Sequence, residues 1–217
     1  MQSAEIKKSL FVDIDGPILD VSERYYNVYY DFCRQNNIRP VSKKYYWQKR
    51  RRKQNVSLKS SLTEKYKEFW IKTIELPQYT HFDTIRPHTI EVLAKLQQNC
   101  NLYAVSLRQN AETEKKTLKQ FGVSEFFNNI YIAPPSLFET MKNWRIKRAL
   151  IHEIASLGDI IIGDTPTDIK CGQSLRFITV AVLSGITNYS LLKSYQPDYI
   201  IRKIDSLPRL LDRNNLL

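Results

Sequence analysis

The sequence predicts an α/β fold, a doubly wound and mainly parallel sheet with a small helical cap inserted after its first strand. Three observations predict it. Short apolar runs rich in β-branched residues recur six times along the chain. Helical patterns separate them from about Arg86 to the C-terminus, and such alternation builds parallel sheets covered on both faces. The stretch between the first run and Arg86 breaks the alternation, because it holds helical patterns only.

The first run, `SLFVDI` (residues 9–14), is almost continuously apolar, as suits a strand buried on both faces. The insertion follows in three helical pieces, `ERYYNVYYDFCRQN`, `KKYYWQKRRRK` and `LTEKYKEFWIKTI`. Asp20 with Glu23 three residues later predicts a capping box at the first of them. `LPQYTHFDTIRPH` leads the chain back, and `TIEVLAKLQQ` places Ile90, Val92, Leu93 and Leu96 on one helical face. Strands are then expected at residues 101–107, 129–133, 159–164, 177–183 and 198–202. Before the third of these, `WRIKRALIHEIA` repeats Ile146, Leu150, Ile151 and Ile154 at helical spacing. The expected organisation is a core of residues 1–20 and 83–217 and a cap of residues 21–82. The aromatic residues of the insertion, Trp47 and Trp70 among them, read as the core of that cap.

The chain has 217 residues, room for one α/β domain with an insertion, and a formal charge of +11. The charge is concentrated: residues 21–82 hold 14 Lys or Arg against 5 Asp or Glu. No apolar run reaches bilayer-spanning length, and the N-terminus lacks the layout of a signal peptide. The cysteines, Cys33, Cys100 and Cys171, are odd in number and without metal spacing. His81, His88 and His152 are scattered. A reduced, cytoplasmic protein is the expectation, with no membrane partner.

Ligands of open parallel sheets bind at the carboxyl ends of the strands. Three expected strands end in polar groups: the first at Asp13 and Asp15, another at Ser106, and a third at Asp164, with Asp168 four residues on. If those strands are neighbours, four carboxylates and a hydroxyl converge. So much negative charge calls for a divalent cation, and all-oxygen ligation selects Mg²⁺.

`DIDGPILD`, Ser106, a lysine before a helix and `GDTPTD`, in that order, resemble the four motifs of the haloacid dehalogenase (HAD) superfamily. The resemblance spans about Leu10 to Leu210 and is closest to the phosphoglycolate-phosphatase-like branch, whose helical cap follows the first motif. It implies a Rossmann-like core and a Mg²⁺-dependent phosphatase acting on a phosphate monoester of a small metabolite. Asp13 would be the nucleophile that forms an aspartyl phosphate, and Asp15 the general acid and base. Mg²⁺ would be held by Asp13, the main-chain oxygen of Asp15, Asp164 and Asp168. The phosphoryl group would be held by Ile14, Asp15, Ser106, Leu107 and a lysine. Lys142 stands before the first apolar turn of its helix, where the family places its lysine, and ranks ahead of Lys147. Pro17 replaces the Thr or Val usual after Asp-Gly and should stiffen the turn without removing a phosphate donor.

A phosphosugar mutase would share every one of these residues. A dehalogenase would lack the carboxylate that Asp15 supplies. The basic run `KKYYWQKRRRK` (residues 43–53), with its interleaved aromatics, admits a nucleic-acid-binding or end-processing protein as the rival of another class. The favoured reading of that run is a positive field drawing a small anionic substrate to the crevice.

Overall fold

A computed structural model describes residues 7–56 and 58–217. Its main sheet contains the six expected strands: β1 (Ser9–Val12), β4 (Asn101–Ser106), β5 (Asn129–Ile132), β6 (Ile160–Gly163), β7 (Ile178–Val182) and β8 (Tyr199–Ile201). Their order is β5-β4-β1-β6-β7-β8 and every pairing is parallel. β1 therefore lies between β4 and β6, so the three polar strand ends are neighbours. β2 (Leu19–Asp20) and β3 (Thr84–Ile85) form a small antiparallel pair at the base of the insertion.

Alternation along β1 sorts the core. Leu10 and Val12 point to one face with Leu102, Ala104, Ile160 and Ile162, under α5 (Thr89–Asn99) and α11 (Leu207–Arg213). Phe11 points to the other, against Ile151, Cys171 and Phe177 from the region of α8 (Asn143–Ile151) and α9 (Pro166–Leu175). It is stacked between the rings of Tyr103 and Phe177, each 5.2 Å away. Helices on both faces explain why these strands are apolar without interruption.

The insertion carries α1 (Ser22–Gln35), α2 (Lys43–Arg51), α3 (Ser60–Thr73) and the single turn α4 (Pro77–Thr80). The first three share a separate core of Tyr29, Phe32, Cys33, Tyr46 and Tyr66, with Trp47 and Trp70 against it. Two details differ from expectation. Asp20 accepts a hydrogen bond from the Ser22 amide and α1 starts without a side-chain cap, so no Asp20–Glu23 capping box forms; Glu23 pairs with Lys43 instead. In α5, Val92, Leu93 and Leu96 are buried but Ile90 is 45 % exposed, because the helix presents only a narrow stripe to the sheet.

Two residues of the insertion, Arg51 and Glu75, seat it on the sheet ends, and Arg86 just beyond it ties together the loops beneath. Arg86 donates to the carbonyls of Gly16 at 2.5 Å and Ser184 at 2.6 Å. Arg51 donates to the carbonyls of Leu183 at 2.6 Å and Thr187 at 3.2 Å, and the Arg51 carbonyl accepts from the Asn188 amide. Glu75 accepts from the amides of Gln109 and Asn110 in the loop after β4. No helix among the described residues is long and apolar enough to cross a membrane.

Candidate active site

The main-chain ladder runs one residue past β1, the Asp13 amide donating to the Ile162 carbonyl, and there the chain turns. The Ile14 carbonyl accepts from the amides of Ile18 and Leu19, which closes the turn over Pro17. Pro17 thus stands where its missing N–H removes no bond of the turn. Gly16 has φ +106°, and a Cβ there would come within 2.4 Å of the Asp164 carboxyl carbon. The left-handed backbone and the close approach both require glycine. Gly185, in the loop after β7, gives way to the same carboxylate: a Cβ would lie 1.9 Å from Asp164 Oδ2.

Asp13, Asp164 and Asp168 each bring an oxygen within 4.8 Å of the others. The Lys147 ammonium sits among them, 2.8 Å from Asp13 Oδ1 and 2.5 Å from Asp168 Oδ1. Lys142 does not reach this crevice; it is the exposed residue preceding α8. The expectation that placed Lys142 in the site is corrected on geometry. Lys147 lies four residues before Ile151 and next to Ile146, on the buried face of α8, and only that face meets the sheet. A lysine inside the apolar stripe was the signal available in the sequence.

The acidic groups have distinct environments. Burial, reinforced by the charges of Asp168 and Asp164, raises the Asp13 carboxyl against the pull of Lys147. Burial and the neighbouring Asp168 push Asp164 up to about 7. Its Oδ2 accepts from the Ile186 amide at 2.5 Å, while Oδ1 is buried without a partner. Asp168 has both oxygens engaged, Oδ1 by Lys147 and Oδ2 by the Thr165 amide and hydroxyl, in a capping box that starts α9. Asp168 is therefore arranged to hold the lysine in place. The carboxylates of Asp13 and Asp164 are arranged to take a cation, three acidic groups facing one ammonium and one buried oxygen left unpartnered. This donor set is all oxygen and fits Mg²⁺.

Ser106, at the end of β4, is buried; its hydroxyl accepts from the Arg108 amide, and it lines the crevice with Leu107. The Ile14 amide donates to Asp13 Oδ1 at 3.0 Å.

Asp15 is held by two arginines. Arg24 from α1 meets its Oδ2 at 2.5 Å, and Arg108 meets its Oδ1 at 2.5 Å. Asp83 pairs with both arginines, and Glu114 of α6 (Ala111–Gln120) pairs with Arg108 at 2.7 Å. Burial opposes the charge on Asp15, yet Arg108 and Arg24 overcome it and hold the carboxyl at about 2. Burial dominates instead at Asp83, raised to about 6, and at Glu114, raised to about 7. This buried network was not expected from the sequence. Nothing in the sequence spacing of Arg24, Asp83 and Glu114 brings them together.

The basic run of the insertion also takes an unexpected form. Arg51 is tied to the core loop, and Arg50 lies over the rings of Trp70, 4.6 Å away, and Tyr25, 5.4 Å away. Two of its three consecutive arginines thus hold the protein together rather than face outward.

Residues 10–182 match the family model described as haloacid dehalogenase-like hydrolase. The chain belongs to that family. Among curated relatives of this HAD-like hydrolase is the pyrophosphatase PpaX of Oceanobacillus iheyensis, 28 % identical over 133 residues. That match covers 60 % of this chain and 61 % of the relative's length. Among solved structures, the HAD-like hydrolase SP0104 of Streptococcus pneumoniae superposes with a TM-score of 0.72 at 20 % identity, over 94 % of this chain and 98 % of the other. YfnB of Bacillus subtilis, described as a HAD-hydrolase bound to magnesium, superposes with a TM-score of 0.62 at 20 % identity, over 96 % and 100 %.

Proposed function

We propose that this HAD-like hydrolase is a Mg²⁺-dependent phosphatase that cleaves a phosphate monoester of a small metabolite through an aspartyl phosphate. One observation carries the reading: Asp13 ends the central strand with the Lys147 ammonium at 2.8 Å and the unpartnered oxygen of Asp164 beside it. A nucleophile, a fixed cation and a site for a second cation together suit phosphoryl transfer, where stabilising charge on the moving group matters most.

Asp13 attacks phosphorus, the bond from phosphorus to the leaving oxygen breaks, and the phosphoryl group rests on the Asp13 carboxylate. Lys147, the Ser106 hydroxyl and the amides of Ile14 and Leu107 stabilise the equatorial oxygens. A divalent cation held by Asp13, the Asp15 main-chain oxygen and Asp164, with Asp168 closing the shell, would shield the carboxylates from the incoming phosphate. Asp15 protonates the leaving oxygen and then takes a proton from the water that attacks the aspartyl phosphate. Held by Arg24 and Arg108 at about 2, Asp15 is ionised and only weakly basic while those contacts hold. Donation to the leaving group requires that at least one of those arginine contacts open.

The PpaX relative is named a pyrophosphatase, which supports a small, highly charged phosphate compound as substrate. Phosphate release from a panel of small phosphate esters and inorganic pyrophosphate, with Mg²⁺ and with EDTA, tests the reading. Release that needs Mg²⁺ and is lost in Asp13→Asn supports it. Release that survives Asp13→Asn overturns it.

A further inference from the structure

Asp164 is enclosed by two loops. The turn after β1 brings Gly16 against its carboxyl carbon, and the loop after β7 brings Gly185 against its Oδ2. The next residue of that second loop, Ile186, donates its amide to Oδ2 at 2.5 Å. Oδ1 is left buried without a partner. Where Oδ1 points therefore depends on how the two loops stand relative to each other.

Arg86 joins those loops. It follows β3 directly, and its amide donates to the Ile18 carbonyl at 2.9 Å. Its guanidinium spreads over three partners. Nε donates to the Gly16 carbonyl at 2.5 Å, one terminal nitrogen to the Ser184 carbonyl at 2.6 Å, and the other to Asp20 Oδ2 at 3.4 Å. The Ser184 carbonyl belongs to the peptide that leads into Gly185, so one planar group grips both walls of the slot around Asp164. The Ser184 hydroxyl adds a second tie, donating to the Gly16 carbonyl at 2.9 Å. The Arg86 charge also feels the Asp164 carboxylate. By charge alone, a guanidinium so placed opposes a metal cation at that carboxylate.

Resting on the Mg²⁺-dependent reading above, we propose that Arg86 is a positioning residue of the cation site: it clamps the Gly16 turn to residues 184–186 and so fixes the Asp164 carboxylate with Oδ1 free for the metal. The fork is what the clamp needs, because a rigid guanidinium holds two carbonyls at a set spacing and a lysine ammonium on its flexible stem does not. Charge and clamp act with opposite signs. Loss of the charge alone would tighten a divalent cation at Asp164, and loss of the clamp loosens it.

Mn²⁺ binding without substrate, read from the electron paramagnetic resonance of the free ion, tests this, since Mn²⁺ takes the same all-oxygen set as Mg²⁺. Asp164→Asn should remove the wild-type binding, which locates the ion. Arg86→Met should weaken Mn²⁺ about 10-fold, as loss of support behind a metal ligand does, although it removes a positive charge. Arg86→Lys keeps the charge without the fork and should weaken it too. Ser184→Ala, the mildest change, removes only the hydroxyl tie and should weaken it about threefold. Circular dichroism shows which variants fold. Mn²⁺ bound as in the wild type or tighter by either folded Arg86 variant overturns the clamp, and Ser184→Ala decides in the same way if neither folds. Binding that survives Asp164→Asn overturns it as well. Turnover measured beside it separates the two readings. A wild-type chain that binds Mn²⁺ through Asp164 and Arg86 but releases phosphate from no ester refutes the phosphatase and keeps the clamp. A wild-type chain that binds no divalent cation refutes both.

Discussion

Lys147 reaches Asp13 with its ammonium 2.8 Å from Oδ1, from a buried position on α8. The lysine and the carboxylate come from separate elements and meet at the end of the central strand, where Asp168 fixes the lysine from behind.

Replacing Lys147 by Met should reduce phosphate release by roughly 10²- to 10³-fold, the effect of removing one preorganised donor from a transition-state site. Lys142→Met should stay within about twofold of the wild type, since Lys142 lies outside the crevice. Steady-state kinetics of the two variants, with circular dichroism to confirm the fold, compare them directly. Equal losses would remove Lys147 from its special role.

Asp164 fits its place because two glycines make room for it. Gly185→Ala would push a Cβ to 1.9 Å from Asp164 Oδ2 and displace the carboxylate. The Mg²⁺ concentration for half-maximal activity should rise about 10-fold, as when a ligand's support is disturbed. A Mg²⁺ titration of activity measures it, and an unchanged midpoint would show that Asp164 does not hold the cation.

Glu114 offers a test by pH. Burial raises its carboxyl from 4.5 to about 7. A raised folded-state value means that its contribution to stability is present below about 4.5 and is lost as pH rises through about 7. Glu114→Gln removes that dependence. The unfolding free energy of the wild type minus that of Glu114→Gln should therefore fall between pH 5 and pH 8, by on the order of 2 kcal/mol. The lost ion pair with Arg108 changes the offset, not the sign of the slope. Urea unfolding at four pH values reads it, and a flat difference would mean that Arg108 keeps Glu114 ionised throughout.

Arg51 and Arg52 are adjacent and should behave differently. Arg51→Gln loses hydrogen bonds to the Leu183 and Thr187 carbonyls and should destabilise the fold by about 1–3 kcal/mol. Arg52 is exposed, and Arg52→Gln should change stability by less than about 0.5 kcal/mol. Thermal unfolding distinguishes them.

The central strands of the main sheet were legible because burial on both faces makes them mostly apolar, and the half-buried edge strands β5 and β8 were legible from their short runs of isoleucine and tyrosine. β2 and β3, two residues each, are too short to leave a periodic trace. Asp13, Asp164 and Ser106 were legible as polar groups at the ends of apolar strands. Lys147 was passed over for Lys142, since a lysine in a helix reads as solvent-facing until the burial of its face is known. The Asp15–Arg24–Arg108 contacts were illegible, because Arg108 lies 93 residues from Asp15 and only the parallel pairing of β1 with β4 brings them together. Arg50 and Arg51 misled for a related reason: a run of like charges resembles a solvated face whether or not the fold finds partners for it.

The covalent role of Asp13 is the central claim. Acid quenching during turnover of a ³²P-labelled ester, followed by borohydride reduction and peptide mass spectrometry, identifies the phosphorylated side chain. An aspartyl phosphate is reduced to homoserine, so homoserine at position 13, absent without substrate, is the result expected. Phosphate release with an unlabelled protein, or with the label on any other residue, would contradict it.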